Sequence, residues 1–431
     1  MKQVAQILTR DEDTRICILS AVAGVTNKLV SFAQESARRG DLFQDICLQH
    51  RKIAHDLEIE DLSGGDLKAL FEGLESFMAS SLTPAQFDEV LSFGERLSTT
   101  LMYHYLKAQG HPIVFWDARH FIVTDDHFGK ATPFPDQISE KMKAALSQLQ
   151  GHELIITQGF IGATAQGKTT TVGRGGSDYT AALFAEGLKA EQLNIYTDVQ
   201  GVFTMDPNRV AGAKFIPHLG FQEMAELANF GAKILHPATL SPCFRANIPV
   251  VIGSTFEPNA GHTLVTALSP KPLDKKVPVQ AIAMRKDQIL LTIKSLHMLN
   301  VHGFLANIFT ILSNHKVSID VITTSEVSVA LTVDGSLNHA HGNHPFSNPE
   351  LLEELKAFAD VAVEENLTLV TLVGPNLSQH AGALQSVIGA MDHVPIRLIC
   401  QGASASNISF LIPATHATDV VSNLHQQFIE S

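Results

Sequence analysis

Short apolar runs recur along the chain, and each gives way to small or polar residues and then to an amphipathic stretch. Ile16-Cys17-Ile18-Leu19, Ile113-Val114-Phe115-Trp116, Leu154-Ile155-Ile156, Leu193-Asn194-Ile195-Tyr196 and Ile248-Pro249-Val250-Val251-Ile252 have the length and composition of buried strands. Residues 1–8 and most of 28–110 carry helical periodicity, broken at Ser63-Gly64-Gly65-Asp66. Further helices are expected near 138–149, 179–188 and 221–230. Strands alternating with helices over 1–265 predict an α/β fold, a mainly parallel sheet with helices on both faces.

The pattern changes after Pro270-Lys271-Pro272-Leu273-Asp274-Lys275-Lys276, a proline- and lysine-rich linker. Ile289-Leu290-Leu291-Thr292-Ile293 opens a unit in which Gly303 precedes a stripe of Phe304, Leu305, Ile308, Phe309 and Leu312. Strands follow at 317–322 and 327–331. Leu367-Thr368-Leu369-Val370, then Gly382 with Leu384, Val387, Ile388 and Met391, then strands at 396–399 and 408–411, repeat the arrangement. Two βαββ units predict paired regulatory modules, each with an open sheet edge that can pair. The expected divisions are 1–268, a linker at 269–280, and modules at 281–362 and 363–431.

Candidate chemistry concentrates in Thr169-Thr170-Thr171-Val172-Gly173-Arg174-Gly175-Gly176-Ser177-Asp178. This is a glycine-rich loop between a strand and a helix. Its N–H groups and the positive end of the helix dipole suit a phosphate or carboxylate. Arg174 offers a two-pronged donor for an oxyanion. Asp178 stands where a carboxylate caps the helix or orients a cation. The bland alternative is a tight turn capped by Ser177 or Asp178. Gly162 and Gly167-Lys168-Thr169 match the spacing of a nucleotide P-loop, but no helical pattern follows Thr169, so that match is accidental. Ser20 to Asn27, small residues after a buried strand, form either a ligand-facing loop or a turn capped by Thr26 or Asn27. Glu95, in Ser92-Phe93-Gly94-Glu95-Arg96, is on helix statistics alone a solvated residue.

At 431 residues the chain is long enough for two or three domains. A formal charge of −13 argues against a nucleic-acid or anionic-membrane surface and fits small-molecule work. No apolar run reaches transmembrane length and the N-terminus has no signal-peptide profile. The four cysteines, Cys17, Cys47, Cys243 and Cys400, form no CxxC pair, as expected of free thiols in a reducing cytoplasm.

Taken together, Gly173-Arg174-Gly175-Gly176-Ser177-Asp178, Tyr196-Thr197-Asp198 with Asp206-Pro207, and Phe230-Gly231-Ala232-Lys233-Ile234-Leu235-His236-Pro237 resemble the aspartate kinases. Phe93-Gly94-Glu95 and Ser20 to Asn27 fit the same family. The repeat beyond 280 is similar to its tandem ACT domains. Ile322-Thr323-Thr324-Ser325-Glu326 looks closest to the lysine-sensitive branch. The resemblance covers nearly the whole chain.

It implies an amino-acid-kinase fold and the reaction ATP + L-aspartate → ADP + 4-phospho-L-aspartate, with ATP as its Mg²⁺ complex. This is the first step toward lysine, threonine and methionine. Aspartate would be held by Thr26, Glu95 and Arg174. Thr197, Asp198, Phe203, Asn208, Lys233 and Ile234 would belong to the ATP site. Asp178 and Lys233 would be catalytic, Lys233 supplying positive charge to the phosphates. L-lysine, the effector, would be bound by Met298, Val301, Phe304, Leu305, Ser318, Asp320, Ser325 and Glu326, its ammonium near Asp320 or Glu326. A homodimer through the ACT domains, or a tetramer, is expected.

Two departures stand out. Met1 aligns beyond the family's Lys-Phe-Gly-Gly-Thr-Ser strand, whose lysine contacts the transferring phosphoryl group. The alternative expectation is therefore an inactive homologue serving as a lysine-binding regulatory subunit. Asn208 also replaces an arginine, with Arg209 one place on as the substitute cation. Outside the family pattern, His339, His341 and His344 place three imidazoles in six residues, a spacing open to zinc or nickel. No cysteine or carboxylate is near in sequence, and Gly342 with Pro345 indicates a loop, so no metal site is expected.

Overall fold

The computed structural model describes residues 1–10, 14–59, 65–79, 81–149, 153–231, 235, 237–269, 277–298, 302–335, 344–391 and 393–430. Lys233, Ile234, Val301, His339 and His341 lie outside the described residues. The strands are β1 (Ile16–Leu19), β2 (Ile113–Trp116), β3 (Leu154–Gln158), β4 (Ile161–Ala163), β5 (Thr169–Thr171), β6 (Leu193–Thr197), β7 (His218–Gly220) and β8 (Val250–Ser254). They continue with β9 (His262–Thr266), β10 (Ala281–Lys294), β11 (Val321–Thr324), β12 (Ser328–Asp334), β13 (Asp360–Val373), β14 (Leu398–Gln401) and β15 (Asn407–Pro413). The helices are α1 (Lys2–Arg10), α2 (Val25–Gln34), α3 (Arg39–Asp56), α4 (Asp66–Glu75), α5 (Pro84–Ala108), α6 (Pro135–Leu146) and α7 (Gly176–Leu188). Then come α8 (Phe221–Phe230), α9 (Pro237–Ala246), α10 (Phe304–Asn314), α11 (Pro349–Lys356), α12 (Ala383–Ala390) and α13 (Ala417–His425). No described helix is long and apolar enough to cross a membrane.

Two compact units result, Met1–Gly201 with Ile234–Ala267, and Val202–Lys233 with Leu268–Ser431. The first is built around parallel strands, but they do not make one continuous sheet. β1, β3 and β2 form a three-stranded parallel sheet, while β6 pairs parallel with β8, which pairs antiparallel with β9. A helical layer covers the segment after β1, with Val25, Leu29, Phe32, Ile46, Leu74, Phe93 and Leu97 in its core. The long helix α5 starts at a capping box: Thr83 accepts from the Gln86 N–H, the Gln86 side chain accepts from the Thr83 N–H, and Pro84 holds the first position.

In the second unit the sheet edges expected to be able to pair do so with each other. β10 and β13 pair antiparallel along their length, giving one six-stranded sheet in the order β11-β12-β10-β13-β15-β14. The second half of β10 pairs with β12, and the second half of β13 with β15. Each module therefore shares both long strands, and the division expected at 362/363 falls inside β13. The end strands are β11 and β14, which approach each other and share a core containing Val321 and Leu398. Phe304, Ile308 and Leu312 pack α10 onto Ile289, Leu291 and Ile293 in one core. Val370, Phe410, Val387, Val420 and Phe428 form the other.

The segment 202–233, which the sequence assigns to the first domain, joins this second unit. Met205 and Val210 enter the core of Val370 and Phe410. The Thr204 hydroxyl is 2.9 Å from His425 Nε2, in the buried interior. On α8, Glu223 accepts hydrogen bonds from Ser269 at 2.6 Å and Ser406 at 3.1 Å, and Glu226 accepts one from Asn407 at 2.6 Å. A helix that reads from sequence as part of the first domain is thus tied to the six-stranded sheet by a buried and a half-buried carboxylate.

Candidate functional site

In the first unit, three motifs meet at the carboxyl ends of β1 and β3. The Gly159 N–H, just past β3, donates to the Leu19 carbonyl at the end of β1, 2.8 Å away. Gly159 also lies against Ser177 in the first turn of α7. α5 grips the segment after β1 at two points: the Ala21 N–H donates to Glu95 Oε1 at 3.1 Å, and the Ser98 hydroxyl donates to the Ser20 carbonyl at 2.7 Å. This fit needs glycine before Glu95. A Cβ on Gly94 would stand 2.8 Å from the Ala21 Cβ and 3.2 Å from Leu29 Cδ1.

Glu95 is not solvated. It is 3% exposed, and its second oxygen, Oε2, has no hydrogen-bond partner among the described residues. Burial pushes its pKa up to about 8, against the pull of the Ala21 N–H. Thr26 is half-buried in the first turn of α2, whose N-cap is Gly24. Arg174 is exposed between Gly173 and Gly175, whose φ values are 82° and 69°, and makes no ion pair among the described residues. Asp178, in the first turn of α7, is pushed up to about 6 by burial. An orphaned buried carboxylate oxygen, an exposed guanidinium and two helix N-termini therefore share one end of the sheet. That set is complementary to a small ligand carrying both an ammonium and a carboxylate.

Of the residues expected at the nucleotide, Thr197 ends β6 and its hydroxyl donates to Asp198 at 3.1 Å; Asp198 is exposed. In the second unit, Phe203 stacks edge-on to Phe215 with ring centroids 5.7 Å apart. Asn208 is exposed in the turn that Asp206 caps, and Arg209 is held by Asp206 at 3.3 Å.

The expected effector residues that the structure describes lie in the first module. Met298 and Phe304 pack into its core. Leu305, Ser318, Ser325 and Glu326 are exposed, and the Ser325 hydroxyl bonds that of Ser328 at 2.7 Å in the turn between β11 and β12. Asp320 is already engaged: the Arg285 guanidinium sits 2.8 Å from Oδ1, with both side chains about a fifth exposed. Burial holds the Asp320 carboxyl above the usual range despite that partner. Arg285 also donates to the Asn229 carbonyl at the end of α8 and lies 4.0 Å from Asp334. His344 pairs with Glu365 at 3.0 Å, and no cluster of metal-ligating side chains occurs among the described residues. Sequence reasoning missed Arg285 and the buried Asp88. A cation two strands away from an acidic turn, or an acid inside a helix, leaves no local pattern.

Comparison with known proteins shows the family. A model described as the amino acid kinase family matches residues 1–254, and one described as an ACT domain matches residues 370–428. The lysine-sensitive aspartokinase 3 of Escherichia coli is 42% identical over all of this chain and 96% of its own length. The chloroplastic aspartokinase 3 of Arabidopsis thaliana is 33% identical over 100% of this chain and 79% of its own. The crystal structure of E. coli aspartokinase III with aspartate and ADP superposes with a TM-score of 0.87, covering 99% of this chain and 95% of that one. The same enzyme with lysine and aspartate gives 0.83, covering 99% and 96%. The chain belongs to the aspartokinase family.

Proposed function

We propose that the chain transfers the γ-phosphoryl group of MgATP to the β-carboxylate of L-aspartate, giving ADP and 4-phospho-L-aspartate, and that L-lysine restrains it. The observation that carries the substrate reading is the orphaned Glu95 Oε2, buried at the junction of the Ser20–Asn27 segment and the Arg174 loop. The substrate ammonium satisfies that oxygen, and Arg174 with the α2 and α7 N-termini takes the carboxylate. An attacking β-carboxylate is ionised at neutral pH and needs no base. Orientation and cancellation of negative charge supply the catalysis. Asp178, at the mouth of the glycine loop, orients the centre, and Thr197 and Asp198 stand at the nucleotide. The E. coli relatives bound to aspartate, ADP and lysine support the same assignment.

Calorimetry on the Arg174→Ala variant tests the reading. Loss of a charge-assisted contact should weaken aspartate roughly ten- to a hundredfold and leave ADP within about twofold. The assignment fails if ADP suffers the larger loss.

For regulation, the lysine ammonium competes with Arg285 for Asp320, with Glu326 as the second carboxylate. Lysine binds where two copies meet, and the chain works as a cytoplasmic homodimer. Leu305 and Phe309 on α10 and Ile322 on β11 are 36%, 37% and 40% exposed, apolar surface that a second copy would cover.

A further inference from the structure

We infer that Asp88 is a positioning residue for substrate recognition: a buried carboxylate on α5 that fixes the Arg174 loop relative to Glu95. The inference rests on the reading of Glu95 and Arg174 as aspartate contacts. Asp88 is fully buried, at 0% exposed, and among the described residues no cation bonds to it. Oδ2 accepts from the Thr171 N–H at 2.7 Å and the Gly129 N–H at 2.9 Å, and Oδ1 accepts from the Thr171 hydroxyl at 3.1 Å. A carboxylate buried on N–H and O–H groups alone is expensive, and burial does raise its pKa. Apolar packing at this spot would hold the fold at lower cost, so the carboxylate is spent on geometry.

What it fixes is specific. Thr171 ends β5, three residues before Arg174. Thr171 also accepts a hydrogen bond from the Ala131 N–H at 2.9 Å, and the Gly129 carbonyl lies within 3.6 Å of the Cβ position of Gly173. Asp88 therefore clamps β5 and the 125–131 loop together directly beneath the substrate loop. Glu95 follows it on α5 by seven residues, about 10 Å along a rigid helix and nearly on the same face. One helix thus carries the group that meets the substrate ammonium and the group that sets the height of its carboxylate receptor.

The test is calorimetry of aspartate and ADP binding on Asp88→Asn, Arg174→Ala and the double variant. Asparagine keeps the shape but presents an N–H₂ to one of the donors. Asp88→Asn should weaken aspartate about tenfold or more while ADP stays within about twofold. In the Arg174→Ala background the same change should add less than about twofold, because the loop it positions no longer carries a receptor. Wild-type aspartate affinity in Asp88→Asn, or losses that multiply in the double variant, overturns the inference. Should Asp88→Asn fail to fold, Thr171→Val removes one of the three bonds. It should then cost aspartate roughly threefold and ADP nothing, and unchanged aspartate binding is equally fatal. Failure of Arg174→Ala to weaken aspartate defeats the substrate reading instead, so the two failures are distinguishable.

Discussion

Glu95 carries the clearest consequence at the scale of a single residue. With a pKa of about 8 in the free protein, it is mostly protonated at pH 7. An ammonium beside Oε2 favours the carboxylate, so aspartate binding at pH 7 should release a proton, and affinity should rise from pH 6 toward 8. Calorimetry in buffers of different ionisation enthalpy reads the proton directly, and Glu95→Gln should abolish both the release and the slope. Stability obeys the opposite sign. Between about 4.5 and about 8 the folded state keeps a proton that the unfolded chain has lost, so this residue's contribution fades as pH rises through that window. Denaturant melts at pH 9 should show Glu95→Gln to be the more stable protein. Glu95 was legible in the sequence only because Phe93-Gly94-Glu95 stood in a family pattern. Asp88 was not legible. Phe87-Asp88-Glu89 reads as an acidic pair on a solvent face, and the donors that bury it are 41 and 83 residues away in sequence.

At the scale of elements, α5 acts as the frame of the site, and its tolerance for change should be small where it meets the segment after β1. Gly94→Ala places a methyl 2.8 Å from Ala21 Cβ, closer than packed carbons allow. The helix or the segment must move, at a cost of about 1–3 kcal/mol. Thermal melting should show that loss, and aspartate affinity should fall with it because the Ala21 N–H no longer meets Glu95. Combining Ala21→Gly with Gly94→Ala opens the space again and should recover most of both. No recovery would mean the contact is not what α5 depends on. Strands and helices of the first unit were readable because apolar runs and amphipathic stripes are local signals. Strand partners were not. The exchange of halves between β10 and β13 needs both strands to run on for fourteen residues, whereas the apolar pattern marks only their inner parts. The adherence of α8 to the regulatory sheet rests on Glu223 and Glu226, which look like solvent-facing acids until Ser406 and Asn407 are seen beside them.

For the molecule as a whole, the division into units matters more than the order of domains along the chain. Val202–Lys233 carries Phe203 and Asn208, two residues expected at the nucleotide, yet it belongs to the same compact unit as the module proposed to bind lysine. Arg285 joins these two parts of that unit. One guanidinium holds Asp320, proposed to meet the lysine ammonium, and the Asn229 carbonyl at the end of α8. The next turn of chain is seated just as closely: a Cβ on Gly231 would meet the Met284 carbonyl oxygen at 2.6 Å. If lysine takes Asp320, Arg285 loses the nearer of its two carboxylates and keeps Asp334 and the bond to α8, and the two arrangements differ in what they offer the nucleotide segment. A ligand shifts such an equilibrium only through unequal affinity for the two arrangements, and the coupling must be reciprocal. Lysine should therefore change ADP affinity, and ADP should change lysine affinity by the same factor. In Arg285→Gln, lysine should still bind, because its rival for Asp320 is gone, but the factor should fall toward one. Glu326→Ala should instead raise the lysine concentration required and leave the factor in place. Threonine, lacking the distal ammonium, should do neither. Paired titrations of lysine and ADP on the three proteins measure all of this, and an undiminished factor in Arg285→Gln would show that the signal reaches the nucleotide by another route.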